Sequence, residues 1–256
     1  MANLTTLAAV KAYLGIVTAG QDTLIPTLIA RESALVEQWC GRKFSYTLNS
    51  KRLNGSNTKM LVLPETPILS VSALSIQGSV IAASSDAIQS GFVFDDNCLY
   101  LVGDWLFIKG NQNIECSWTT GYETTETAYV PTGNTPTITP TTGGTALSAV
   151  SVTDTTSSVV LTQVGANPAT GQYSFAAGVF TFNSAQYNHS VTMRYYYVPS
   201  PVEQAVIEMV GLDLQQRSNI GISSKSLAGE SVTYGIHAMT PSAMELLMPF
   251  RVRQVA

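Results

Sequence analysis

The chain has 256 residues, enough for one large domain or two small ones with a sizeable core. Apolar residues make up an ordinary 45%, but charged residues only 12%, about half the usual share. The net charge of −4 and the scatter of the basic residues argue against a dedicated nucleic-acid binder, which needs a basic stripe to meet phosphate. The charge deficit fits either a Ser/Thr-rich all-β surface or a surface covered by neighbouring subunits. The second is favoured, because interface cores are depleted of charge. Cys40, Cys98 and Cys116 lie far apart, as buried free thiols of a reducing cytoplasm would. The first twenty residues lack a basic start and are interrupted by Lys11, so they read as a helix rather than a secretion signal. No stretch approaches the ~20 apolar residues that cross a bilayer, and no membrane partner is expected.

The first forty residues predict a helical hairpin. Thr5 or Thr6 caps the first helix, Leu7, Val10 and Leu14 share a face, and Gly15 stops it. Asp22 opens the second helix, Pro26 sits in its first turn, and Leu28, Leu35, Val36 and Trp39 supply the buried stripe up to Gly41. From Phe44 to Tyr122 the period becomes two. Residues 60–63, 71–76, 92–94, 99–101 and 114–118 read as short strands of a small antiparallel sheet packed on the helices.

Between Ala128 and Met193 there is a single formal charge, Asp154, in sixty-six residues. Thr132 to Thr145 is half threonine and reads as a linker or extended arm. Five strands follow, at 149–152, 159–161, 172–175, 178–182 and 191–197, a set that suits a small β-sandwich or barrel. Tyr129-Val130-Pro131-Thr132 recurs as Tyr197-Val198-Pro199-Ser200, which suggests an insertion into a loop of a smaller host domain. Ser200-Pro201-Val202-Glu203 then starts a helix with Val202, Ala205, Val206, Met209 and Val210 on its buried face. Ser218 to Glu230 is a Ser/Gly loop, 231–236 a short strand, and Thr240-Pro241 caps a last helix ended by Pro249.

The expected fold class is α+β. A helical core (N-terminal hairpin plus C-terminal helices) carries a small antiparallel sheet and an inserted, sandwich-like all-β domain. The domains are 1–131 with 199–256 for the core, and 132–198 for the insertion with its linker.

Groups that could do chemistry are scarce. No nucleophile, zinc or phosphate-loop motif occurs. His189 and His237 read as structural, Asp95-Asp96 as a turn, and Glu123 and Glu126 as a solvated loop. No catalytic residue, metal or cofactor is expected. Two rival readings remain open. One is a phage tail or surface β-module that binds carbohydrate or a receptor on Tyr195, Tyr196 and Tyr197, beside Phe180 and Phe182. The other is a cell-wall hydrolase using Asp95 with Asp104.

The order of parts resembles the head–tail connector (adaptor, head-completion) family of bacteriophages. The likeness is carried by LTTLAAVKAYLGI and QDTLIPTLIARESALVEQWCGRKF, by LVLPETPILSVSAL and by Ser117-Trp118-Thr119-Thr120-Gly121-Tyr122. Pro201-Val202-Glu203-Gln204-Ala205 and Met248-Pro249-Phe250-Arg251 complete it. It covers roughly 4–122 and 200–254, and the insertion is the departure. What the resemblance implies is a structural subunit, not an enzyme. Made in the bacterial cytoplasm, it would reside in the virion neck as a homo-oligomeric ring, usually a dodecamer. The ring would dock under the portal protein, let double-stranded DNA pass without sequence preference, and hold the tail or neck proteins (stopper, terminator or nozzle). In the family the C-terminal segment reaches into the portal, which here would be the arm Pro249, Phe250, Arg251, Val252 and Arg253. A second candidate arm, between subunits, is the loop with Ser223, Ser224, Lys225, Leu227 and Gly229.

Overall fold

The computed structural model describes residues 3–86, 88–217, 224–227, 230–233 and 239–252. It is mixed α+β and mostly β, and it divides into two compact units.

One unit gathers Met1–Gly41, Pro140–Thr145 and Val198–Ala256. Helix α1 is Leu7–Leu14, where Thr6 Oγ1 accepts the Ala9 N–H at 3.1 Å, as its capping role predicts. Asp22 is not the cap of the second helix. Its carboxylate is held by Lys11 Nζ at 2.7 Å, and α2, Ile25–Cys40, starts from Leu24 with no side-chain cap and with Pro26 in its first turn. The buried stripe of α2 also differs from the predicted one. It runs Ile25, Ile29, Ser33, Val36 and Cys40, while Leu28, Leu35 and Trp39 are half-buried. Ser33 takes a core position because its hydroxyl accepts the otherwise orphaned Leu4 N–H at 3.0 Å.

Helix α3, Ser200–Gln216, buries the predicted Val202, Ala205, Val206, Met209 and Val210. Ser200 does not cap it. Its hydroxyl and its N–H both donate to Gly143 O, at 2.7 and 2.8 Å. Glu203 likewise turns to the threonine-rich segment. It accepts the Thr145 N–H at 3.0 Å, the Thr145 hydroxyl, and the Thr5 hydroxyl at 3.1 Å. These bonds are why residues 140–145 belong to the helical unit. Glu203→Ala leaves three donors without their acceptor and is expected to cost about 1–3 kcal/mol. Urea unfolding of this variant beside Glu203→Gln, which keeps an acceptor oxygen, measures it. The last helix, α4, is Pro241–Leu247, with Thr240 Oγ1 capping the Ala243 N–H at 3.0 Å.

The other unit, Arg42–Thr139 with Ala146–Tyr197, is β throughout. Its first seven strands are β1 Thr47–Gly55, β2 Met60–Val62, β3 Ile68–Ile76, β4 Ser79–Val80, β5 Gly91–Phe94, β6 Cys98–Val102 and β7 Gly110–Thr120. They form two sheets, not one: a four-stranded β1-β7-β3-β4 and a three-stranded β2-β6-β5. Leu61, Leu63, Leu74, Ile76, Phe92, Leu99, Leu101, Phe107 and Ile114 close around Trp118, which is fully buried. Its indole N–H is satisfied by Glu65 O at 3.1 Å.

The remaining strands are β8 Glu123–Tyr129, β9 Thr137–Ile138, β10 Ala146–Asp154, β11 Val159–Val164, β12 Gln172–Ala176, β13 Val179–Phe182 and β14 Ser190–Tyr197. They make one seven-stranded sheet, β8-β14-β10-β11-β12-β13-β9, antiparallel except for β11 with β12. Val130 beside one end strand and Ile138 in the other share a core with Phe180, Phe182, Met193 and Tyr195, so the sheet curls on itself. Strand β8 runs antiparallel to β14 with Glu123 opposite Tyr196, and Tyr197 N–H donates to Tyr122 O at 3.0 Å. The chain therefore enters and leaves this module side by side. The two Tyr-Val-Pro copies lie at opposite ends of the β8–β14 pair and do not mark its stem.

Asp154, the one formal charge of 128–193, is buried. It accepts the Thr156 and Ser157 N–H groups at 2.9 and 3.1 Å and pairs with His189 Nδ1 at 2.6 Å. Burial pushes its carboxyl up, but the bonds from His189 and Ser157 outweigh it and hold the group below the ordinary range. The stability this provides is complete above the unfolded carboxylate value, about 3.9, and is lost as pH falls through the lower folded value. Thermal melts between neutral and acid pH are expected to show that loss. Asp154→Asn should flatten the acid limb, and an unchanged limb would assign the acid loss to other carboxylates.

Candidate functional site

No active site assembles from the predicted carboxylates. Asp95 accepts the Asn97 and Cys98 N–H groups at 2.8 and 2.7 Å and the Tyr100 hydroxyl at 2.8 Å, which is a turn-closing role. Asp104 lies beyond the other end of β6. The strand between them spans roughly 13 Å, well past the 5–9.5 Å that paired carboxylates need for glycoside hydrolysis. The three tyrosines make no common platform either. Tyr195 is buried with its hydroxyl on Glu126, Tyr196 stacks on Tyr46 with centroids 4.6 Å apart, and Tyr197 meets Tyr122 edge-on. Strand alternation sends neighbouring rings to opposite faces. Glu123 and Glu126 are no solvated loop: they sit in β8, where Glu123 pairs with Arg194.

A charged cleft does exist between α2 and α3. It encloses about 460 Å³ and is lined by Leu35, Met209 and Leu212 together with Arg31, Glu32 and Asp213. Arg31 bridges the two carboxylates, reaching Glu32 Oε1 at 2.8 Å and also Asp213. Burial, with Asp213 adding to it, raises Glu32 against the pull of Arg31. All three charges are spent on one another, and no nucleophile stands beside them. Among the described residues no group of three or more His, Cys, Asp and Glu could hold a metal ion.

The C-terminal arm is the candidate site with definite geometry. After α4 the chain makes a 3₁₀ turn, Met248–Phe250, which holds Pro249 and Phe250 and leaves Met248 exposed. Arg251 then lies over the Trp39 ring at 5.1 Å, and Val252 N–H donates to Cys40 O at 2.9 Å. The reason is local. Gly41 ends α2 in a left-handed turn with φ +67°, its N–H closing on Gln38 O at 3.3 Å, so Cys40 O lies past the helical ladder and takes its N–H from the arm. Sequence reasoning misses Trp39 and Cys40 in this role. A signal for it exists in the chain: an aromatic two residues before a helix-ending Gly, and a basic residue near the terminus. Arg253 lies outside the described residues.

Of the second arm, Ser224, Lys225 and Leu227 fall in strand β15, Ser224–Leu227, paired antiparallel with β16, Glu230–Thr233. Ser223, Gly229, Ile236 and His237 lie outside the described residues.

Residues 3–128, from before α1 to the penultimate residue of β8, match the family model described as head completion protein. Over these residues, just under half of its length, the chain belongs to this family. It is a structural head–tail connector subunit, in a family that is not a class of enzymes. No curated protein matches. Two solved structures resemble the chain at low identity. One is described as "Neck of empty GTA particle computed with C6 symmetry", 13% identical over 99% of this chain and 92% of that one, with a TM-score of 0.45. The other is "Neck of native GTA particle computed with C12 symmetry", 14% identical over 100% and 97%, with a TM-score of 0.39.

Proposed function

We propose that the head-completion subunit works by geometry alone. Copies close head-to-tail into a ring, twelve in number by family habit, in the virion neck between portal and tail. In this reading the helices and the small sheets are the ring-building part of the chain, and the β-module is an insertion in it. The molecule is synthesised in the host cytoplasm, and its ring holds tail or neck proteins on the side away from the portal. Double-stranded DNA passes through the lumen, where a net charge of −4 gives phosphates no grip. The family match over residues 3–128 carries the reading. The charge deficit supports it, since surfaces buried between subunits tolerate few charges.

In this reading the portal receives the arm from Pro249 to Arg253, and the hairpin with Ser224, Lys225 and Leu227 reaches a neighbouring subunit. Anchoring of Arg251 and Val252 on the end of α2 presents Met248 and the following turn in a fixed pose. Such pre-ordering lowers the cost of binding. Negative-stain imaging and light scattering of the purified chain, with and without portal, test the reading. Rings seated on the portal are expected. A chain that stays monomeric and ignores the portal would overturn it.

A further inference from the structure

The three-stranded sheet has two apolar faces. Strand register assigns them, because residues paired across an antiparallel ladder share a face. Leu61, Leu99, Leu101 and Phe92 point into the core around Trp118. On the other side Met60 pairs with Tyr100 and Tyr100 with Val93, Val62 pairs with Cys98, and Val102 stands opposite Gly91. Met60 and Val62 are 48% and 61% exposed. An antiparallel sheet with one face on the core ordinarily turns a polar face to water. Here the outward strand positions themselves carry no charge, and the one carboxylate beside them, Asp95, is engaged by the Tyr100 hydroxyl and by the Asn97 and Cys98 N–H groups. Just past Val102 the chain exposes Trp105 and Leu106 as well. An exposed tryptophan so close in the chain to a bare apolar face adds the residue type enriched in protein-binding hot spots.

The face also restricts its occupant. With no cation in it, it cannot hold a phosphate backbone. A charged surface laid on it would leave its own charges buried and unpaired, so the occupant must be uncharged too. This chain owns such a surface. Residues 128–193 carry one formal charge, Asp154, which is buried against His189. On the outside the same stretch exposes Tyr129, Val150, Val159 and Val160.

We infer that the outward face of β2-β6-β5, with Trp105 and Leu106, packs on the β10–β11 surface of a second copy of the chain, which exposes no charge. The two surfaces are different parts of the molecule, so the contact is heterologous. That is the kind that closes a ring rather than a twofold dimer. The inference rests on the ring reading above and names the surfaces that close it.

Placing p-benzoylphenylalanine at Val62 of the full chain and irradiating assembled particles tests the contact directly. The expected product joins two copies, with the far end of the cross-link between residues 146 and 164. A cross-link to another protein, to a different part of the chain, or to nothing overturns the inference while the chain is still found in the particles by immunoblot. A chain missing from particles brings down the ring reading and this inference together. Val62→Glu is the companion variant. Its side chain points to solvent in the single chain, so its melting temperature should match the wild type, while its content in particles falls ~10-fold or more. Wild-type incorporation of Val62→Glu would also overturn the contact.

Discussion

Replacing Trp118 with alanine will destabilise the β unit by about 3–5 kcal/mol, the range for emptying a fully buried aromatic site. The ring is wholly enclosed, on a strand hydrogen-bonded on both sides, by β1 and by β3. Neither neighbour can move in to fill the space without breaking its ladder with β7. The loss has a second part: Glu65 O loses its indole donor. Trp118→Phe keeps most of the volume and should cost clearly less. Urea unfolding at neutral pH, followed by far-UV dichroism so that loss of the tryptophan signal does not confuse the reading, gives both values. Equal stability of the alanine variant and the wild type would mean that this strand is not the centre of the core.

Deleting Pro249 to Ala256 is expected to abolish head–tail joining while leaving a folded chain. The arm adds little to the stability of its own subunit. Arg251 over Trp39 contributes about 0.5–1 kcal/mol, and the Val252 hydrogen bond a similar amount. Thermal melting should therefore shift only by a few degrees, while complementation of a phage lacking the protein falls to background. Arg251→Ala separates anchoring from docking. If the arm works by being held in a fixed pose, this variant weakens portal binding without shortening the arm. Normal joining by the truncated chain would refute the docking role.

How much of this is legible in the sequence depends on which residues carry the periodic signal. The apolar strands β3, β6, β7, β10 and β14 announce themselves by alternation, and so does the buried face of α3. Strand β1 does not. Thr47 to Gly55 includes Lys51 and Arg52 and is half-exposed along its length, because it is the edge of its sheet. Strand β8 reads as a solvated loop for the same reason, and its glutamates meet residues about seventy positions away. Ser33 and Glu32 sit at buried positions of α2, held by the distant Leu4 N–H and by the adjacent Arg31, and that Arg31 is shared with the distant Asp213 follows from no spacing rule. The arm is readable as a motif, but its seat on Trp39 and Cys40 is not, since that contact joins residues some two hundred positions apart.

The side-by-side approach and departure of the β-module, with Glu123 facing Tyr196 and Tyr197 bonded to Tyr122, has an evolutionary consequence. Two strands leaving a scaffold one ladder rung apart are a socket. Any domain whose termini lie about 5 Å apart can be spliced there without stretching the scaffold. Lineages that trade this segment for another between the same two residues must also replace the partners that Gly143 and Thr145 give Ser200 and Glu203, and an experimenter who grafts a fluorescent reporter there must keep them.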